Sequence, residues 1–255
     1  MAQSQRLDTI ANNIANANTT GFKRDEQVFN EYLSAYEKQG DVIEVPRIPA
    51  SIESFYDMQG GDRSYVDANG TYTSHAQGML KPSSSPLDFA IEGQGFFEVG
   101  TPQGIRLTRN GSFKIDSTGT LVTKEGWPVL REGLGQPAEG RTIKLTGANI
   151  AVSYNGNIYE GDKLVGRLSM LDVTDKDALQ KVGNSFYQLK ANSTEALKTA
   201  QEGKIHQGAL EGSNVNIIQE MTDMIQASRV FETNNQAVKA FDQMDEKLVR
   251  DVPKV

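Results

Sequence analysis

The stretch NVNIIQEMTDMIQASRVFETNNQAVKAFDQMDEKLV, residues 214–249, decides how this chain is organised. It holds no glycine and no proline, and Pro253 is the only proline from 214 to 255. Apolar residues recur along it at helical spacing in two adjoining seams. One is Ile217, Met221, Met224, Phe231 and Val238; the other is Ala227, Val230, Ala237, Phe241, Met244 and Leu248. Together they make a stripe wider than the seam of a two-stranded coiled coil, so the helix has surface for several neighbours. About 34 residues of helix would reach ~51 Å. Asn234, Asn235 and Gln236 offer polar positions that can fix register between copies. Just ahead, Ser213-Asn-Val-Asn216 supplies N-cap side chains, and Asn216 with Gln219 makes a box-like pair.

The opposite end has the same character. The first 20 residues also lack glycine and proline, and Leu7, Ile10, Ile14 and Ala17 follow 3-4-3 spacing. Asn12, Asn13, Asn16 and Asn18 lower helix propensity, so a helix here needs packing to persist. Gly21 after Thr19-Thr20 reads as its stop. Residues 25–38 read as a second helical stretch with Val28, Tyr32 and Ala35 on one face. From 40 to 86 the breakers Pro46, Pro49, Gly60-Gly61 and Ser83-Ser84-Ser85-Pro86 predict an extended connector.

Between 87 and 189 short β-like runs are dense, among them Gly95-Phe-Phe-Glu-Val99, Leu121-Val-Thr123 and Phe186-Tyr-Gln-Leu189. Asn110-Gly111 and Asn155-Gly156 each read as a hairpin turn. Evenly spaced strands of this kind predict an all-β sandwich or barrel-like domain. The sequence therefore predicts an α+β multidomain chain: a central all-β domain with paired N- and C-terminal helices of coiled-coil character. The divisions are an N-terminal helical segment at 1–38, a connector at 39–86, the β domain at 87–206, and a hinge with the long helix at 207–255. A long helix packed on its own β domain is the alternative. Pairing or self-assembly is favoured because both ends carry the pattern and no other helices complete a bundle.

Composition narrows the function. The formal net charge is −7 and the basic residues are scattered, which argues against nucleic acid as a partner. No apolar run approaches the ~18–20 residues of a membrane span, and no leader with a basic start and an apolar centre is visible. There is no cysteine, hence no disulfide, thiol chemistry or thiolate metal site. His75 and His206 stand far apart without metal-ligand spacing, so neither metal nor cofactor is predicted. Gly93-Gln-Gly95 lacks the third glycine of a dinucleotide fingerprint. Asp88 and Glu92 could act as paired carboxylates of a glycan hydrolase, and Trp127, Tyr154 and Tyr159 could line a sugar site. A secreted β-rich adhesin or lectin-like module with a helical stalk is a further reading.

Three segments carry a resemblance. Leu7-Asp-Thr-Ile-Ala-Asn-Asn-Ile-Ala-Asn-Ala-Asn-Thr-Thr-Gly-Phe-Lys23 resembles the N-terminal motif of the bacterial flagellar rod and hook proteins. Pro86-Leu-Asp-Phe-Ala-Ile-Glu-Gly-Gln-Gly-Phe-Phe-Glu-Val99, continuing through Thr108-Arg-Asn-Gly-Ser-Phe113, is similar to that family's central motif. Gln207-Gly-Ala-Leu-Glu-Gly-Ser-Asn-Val-Asn216, continuing through Glu220-Met-Thr-Asp-Met-Ile-Gln-Ala-Ser-Arg229, resembles its C-terminal motif. The order and spacing match over nearly the whole chain.

The resemblance implies a non-enzymatic structural subunit of the basal-body rod that spans the periplasm. It implies paired terminal helices lining a hollow, torque-bearing tube around the export channel, with the β domain outside. Partners would be further copies, other rod subunits and the flagellar export apparatus, with export needing no cleaved signal peptide and no membrane insertion. The assembly contacts would be Leu7, Ile10 and Ile14 against Ile217, Met221, Met224 and Phe231, with Val238, Phe241 and Leu248 continuing the seam. The divergent connector from 24 to 85 and the modest length lean toward the proximal-rod type. Family members carry a turn or more of helix ahead of the segment that starts here at Met1, so the inner helix is expected to begin late.

Overall fold

The computed structural model describes residues 2–34, 63–147, 149–183, 185–190, 193, 196–200 and 202–251; side chains are described for these except 2, 29–34, 63–69, 245 and 248–251. The connector residues 39–62 and the end of the predicted second helix, 35–38, lie outside the described residues.

The described chain starts with helix α1 (Ala2–Ala15) and ends with helix α2 (Ile217–Asp251), and the region between is mostly β. Its core is an antiparallel six-stranded sheet in the order β13 (Leu179–Lys181), β14 (Phe186–Leu189), β6 (Gly104–Thr108), β5 (Phe96–Thr101), β12 (Met170–Asp172) and β15 (Lys198–Thr199). Strand β5 is buried on both faces. Phe97 enters one apolar cluster with Phe89, Ile91, Phe113 and Leu121, whereas Phe96 enters a second with Leu107, Leu171 and Tyr187. Smaller ladders flank the sheet: β7 (Phe113–Ile115) with β8 (Leu121–Thr123), and β9 (Ile150–Val152) with β10 (Asn157–Glu160) and β11 (Lys163–Arg167). Between the two clusters' strands, Glu98 and Arg141 form a fully buried bidentate pair, and the Ser169 hydroxyl also donates to Glu98. Such a pair contributes little net stability but is costly to break from one side.

Two further ladders form the neck that ties the β region to the helices. Strand β4 (Phe89–Glu92) pairs with β16 (Lys204–Gln207), and β3 (Leu80–Pro82) pairs with β17 (Ala209–Glu211). A long hairpin of β1 (Asp25–Ser34) and β2 (Arg63–Thr73) rises beside them.

Several expectations need correcting. The chain is not an α+β multidomain array with paired coiled-coil helices. It has one short and one long helix around a mostly β centre, and the 14 residues of α1 meet only the beginning of the 35-residue α2. The reason is chemical. The root of α2 buries Glu220, which accepts from Asn13 of α1, and Ala227, with Met224 partly buried; from Arg229 to Lys247 the described side chains are exposed, so no apolar heptad seam continues along α2. Residues 25–34 form strand β1, not helix, because 25–27 and 29–34 pair antiparallel with 63–73, with a bulge at Val28. Asn110-Gly111 does not turn a hairpin: β6 pairs with β5, and β7 pairs with β8. Asn155-Gly156 does turn one, between β9 and β10. Within residues 207–213, predicted as a hinge, Gln207 ends β16 and Ala209–Glu211 form the paired strand β17.

Candidate functional site

The three motif segments, distant in sequence, meet at the neck. Their junction is a polar node centred on Glu211, whose side chain is 0% exposed. Lys23, also 0% exposed, donates from Nζ to Glu211 Oε1 at 2.6 Å and to the Ala76 carbonyl at 2.7 Å. The Gly78 amide donates to the same oxygen at 2.9 Å. Arg109 Nη1 donates to Glu211 Oε2 at 3.2 Å, and its Nη2 reaches the Gly93 carbonyl at 2.7 Å. Lys23 comes from the N-terminal motif, Arg109 from the central one and Glu211 from the C-terminal one. Burial lowers the pKa of both Lys23 and Arg109, and Glu211 acts against that shift in each case.

Two glycines let these backbones approach. A Cβ on Gly78 would lie 2.0 Å from the Gly212 carbonyl oxygen, so no side chain fits there. Gly21 has φ +69° and a Cβ would meet the Arg109 carbonyl carbon at 2.5 Å; its amide donates to the Glu211 carbonyl at 2.8 Å. The sequence read Gly21 only as a helix stop.

A second polar layer joins the helices to the neck. Asn13 Nδ2 donates to the Asp25 carbonyl at 2.8 Å and to Glu220 Oε2 at 3.1 Å, while its Oδ1 accepts from the Asp25 amide at 3.0 Å. Arg24 Nε donates to Glu220 Oε1 at 2.5 Å. The Asn214 side chain accepts from the Arg24 amide and donates to the Ser74 and Ala76 carbonyls. Asn216 caps α2, accepting from the Ile218 amide at 3.1 Å; Gln219 turns to Asp223 instead of closing a capping box. α2 therefore leaves the neck in a fixed direction, held by five side chains.

The residues expected to form assembly contacts are divided by this arrangement. Ile10 is buried, Leu7 and Ile14 are partly buried, and Met224 is partly buried beside Ala227. Ile217, Met221, Phe231, Val238 and Phe241 are exposed, Phe241 by 65%. The Leu248 side chain lies outside the described residues. From Arg229 to Lys247 every described side chain of α2 is exposed, and the helix itself runs on to Asp251. At the standard rise, α2 runs on for about 36 Å beyond Ala227.

The residues considered for catalysis fall elsewhere. Asp88 is buried and accepts the Ser83 hydroxyl at 2.5 Å, while Glu92 pairs with His206 at 2.6 Å across the β4–β16 ladder. Tyr154 packs edge-on against His206, and Trp127 sits in the turn after β8. Among the described residues no three His, Cys, Asp or Glu side chains stand close enough to hold one metal ion. No helix among the described residues is long and apolar enough to cross a membrane.

Comparison with known proteins agrees with this convergence of segments. Residues 1–23 match the family described as flagella basal body rod protein, residues 90–160 the flagellar hook protein FlgE/F/G D1 domain, and residues 206–251 the flagellar basal body rod FlgEFG protein C-terminal family. The chain is 32% identical over 253 residues to flagellar basal-body rod protein FlgG of Buchnera aphidicola subsp. Acyrthosiphon pisum (strain APS), covering 97% of this chain and 94% of that protein. It is 35% identical over 234 residues to flagellar basal-body rod protein FlgF of Rhizobium meliloti (strain 1021), covering 91% and 85%. FlgG of Bacillus subtilis (strain 168) is 32% identical over 255 residues, covering 96% and 92%. The similarity extends to relatives of both names.

Proposed function

Because this chain belongs to the flagellar basal-body rod protein family, we infer that α1 and α2 are the elements through which its copies assemble. The chain is a structural subunit of the rod, not an enzyme, and it sits in the flagellar basal body with other rod components.

The observation that carries the finer reading is the exposed apolar length of α2. Val230, Phe231, Val238, Phe241 and Met244 are all exposed on one helix of an otherwise well-packed chain. Burying a side chain of this kind contributes roughly 1.5–3 kcal/mol, and a helix so placed is covered by neighbouring copies in a heterologous, helical assembly. In this reading Ile217, Met221, Phe231, Val238, Phe241 and Leu248 meet other copies, whereas Leu7, Ile10, Ile14 and Met224 hold α1 to the root of α2. The helices line a hollow tube that carries torque and encloses the export channel. The 87–206 region lies outside, joined to the tube by the 39–86 connector. Subunits reach the rod through the flagellar export apparatus without a cleaved leader.

The test is the double variant Val238→Glu with Phe241→Glu. Both side chains are solvent-exposed, so far-UV circular dichroism and Trp127 fluorescence should match the parent. Rods and motility should be lost. Motile cells that carry a normal rod built from this variant would overturn the reading.

A further inference from the structure

A cleft of about 500 Å³ opens between the base of the β1–β2 hairpin and β13, the edge strand of the six-stranded sheet. It takes no part in the polar node or in the exposed length of α2. Its lining includes Val28 and Tyr72, both about half exposed, the exposed Lys190, and the partly exposed Lys176 and Lys181. Two carboxylates, Asp25 and Asp177, also line it. Asp25 is already committed: it takes Lys181 Nζ at 2.7 Å and the Thr73 hydroxyl at 2.6 Å. Lys190 donates to the Asp177 main-chain carbonyl, which leaves its charge unneutralised by that bond.

His75 also lines the cleft. Burial is the largest cause of its lowered pKa, and every charge that adds to the shift is a cation: Lys176, Lys23, Arg109 and Lys181. Its Nδ1 is buried without a hydrogen-bond partner, as is the Tyr187 hydroxyl on the ring stacked against it. Among the described residues β13 pairs on one side only, with β14. Its other side is an open backbone edge of the kind that accepts an added strand.

We propose that this cleft is a docking groove for an extended, carboxylate-bearing segment of a second copy of this chain. The segment adds to the free edge of β13 with apolar side chains on Val28 and Tyr72 and carboxylates on Lys176 and Lys190. Charge complementarity selects the occupant: the chain carries 33 Asp and Glu against 26 Lys and Arg, a net excess of carboxylates, whereas the groove is lined by three lysines against two aspartates, one of them already paired with Lys181. The inference rests on the reading of this protein as an assembling subunit, and it adds a contact outside the helices.

The test places the photo-crosslinking residue p-benzoylphenylalanine at Gln180, exposed on β13 in the cleft, in the full-length protein in flagellated cells. Irradiation should give covalent dimers of this chain, with the crosslinked peptide mapping to an acidic segment. The Lys176→Glu, Lys190→Glu double variant, both positions being on the surface, should lose those dimers. If rods form normally and Gln180 crosslinks to a different protein or to nothing, the groove proposal is overturned while the helix-assembly reading stands. If Val238→Glu with Phe241→Glu leaves rods intact, the helix-assembly reading fails on its own. Dimers that persist unchanged in the lysine variant also overturn the proposal, since the charge match would then play no part.

Discussion

Replacing Glu211 by glutamine keeps the volume of the side chain and an acceptor for the Gly78 amide, but removes the one carboxylate among the described residues that pairs with Lys23 and Arg109. Those two side chains are 0% and 4% exposed, so the variant leaves two cations out of water with carbonyl partners alone. Breaking a buried pair from one side costs about 3–5 kcal/mol. Against a domain stability of roughly 5–15 kcal/mol, that is a large share. With an m-value of about 3 kcal/mol/M, a loss of about 4 kcal/mol lowers the urea midpoint by roughly 1.3 M. The assay is urea unfolding followed both by helix circular dichroism and by Trp127 fluorescence, with hydrogen exchange at the Gly21, Gly78 and Gly212 amides to localise the loss. Lys23→Met in the Glu211→Gln background should then cost less than Lys23→Met alone, with a coupling of about 1–3 kcal/mol. A midpoint shift below roughly 0.3 M, or strictly additive single and double variants, would refute the claim that the node holds the neck together.

Gly78→Ala should weaken the neck by about 2 kcal/mol or more, because its methyl would meet the Gly212 carbonyl oxygen at 2.0 Å and backbone must move; thermal unfolding measures this, and an unchanged Tm would contradict the close approach. His75 has a folded-state pKa lowered from 6.5 to about 4, chiefly by burial. The unfolded chain therefore binds a proton that the folded one refuses, and stability falls as pH drops from about 6.5 to about 4, by at most ~3 kcal/mol and less after solvent screening of a partly exposed ring. His75→Gln should flatten that part of the stability–pH curve; an unaltered slope would show that other groups cause it. Asn13→Leu should free α1 from the neck, because it deletes both bonds to Asp25 and the one to Glu220. Limited proteolysis of the first 20 residues should accelerate, and an unchanged cleavage rate would count against that role.

Much of the fold was legible, for physical reasons that differ from element to element. α2 is a long run free of glycine and proline with an Asn216 cap, and local rules suffice to read it. The strands from Phe89 to Leu189 are short apolar runs punctuated by turns, so the existence of most was clear even where their partners were not. Pairing was the weak point: Asn110-Gly111 has the composition of a hairpin turn, yet β6 folds back on β5 through the short turn that sets Thr101 opposite Gly104, and β7 pairs with β8. Strand β1 was read as helix because Val28, Tyr32 and Ala35 follow a helical 4-3 spacing, and only its partner at 63–73 makes the segment a strand. The polar node was invisible to pattern reading, which treats Lys23, Arg109 and Glu211 as surface residues. The signal that could have found it was their common membership of the three motif segments. The pairing of the helices was over-read, because an apolar stripe says that a face will be covered but not by what. Here the root of α2 is held by Asn13 and Arg24 through Glu220, and the apolar length beyond it is exposed.

Hydrogen exchange over 229–251, compared between the free subunit and the subunit within isolated rods, tests the central claim most directly. The account predicts fast exchange in the free subunit, where these residues lie exposed beyond the neck, and strong protection in the rod as neighbouring copies cover Val238, Phe241 and Met244. Equal protection in the two states would contradict it.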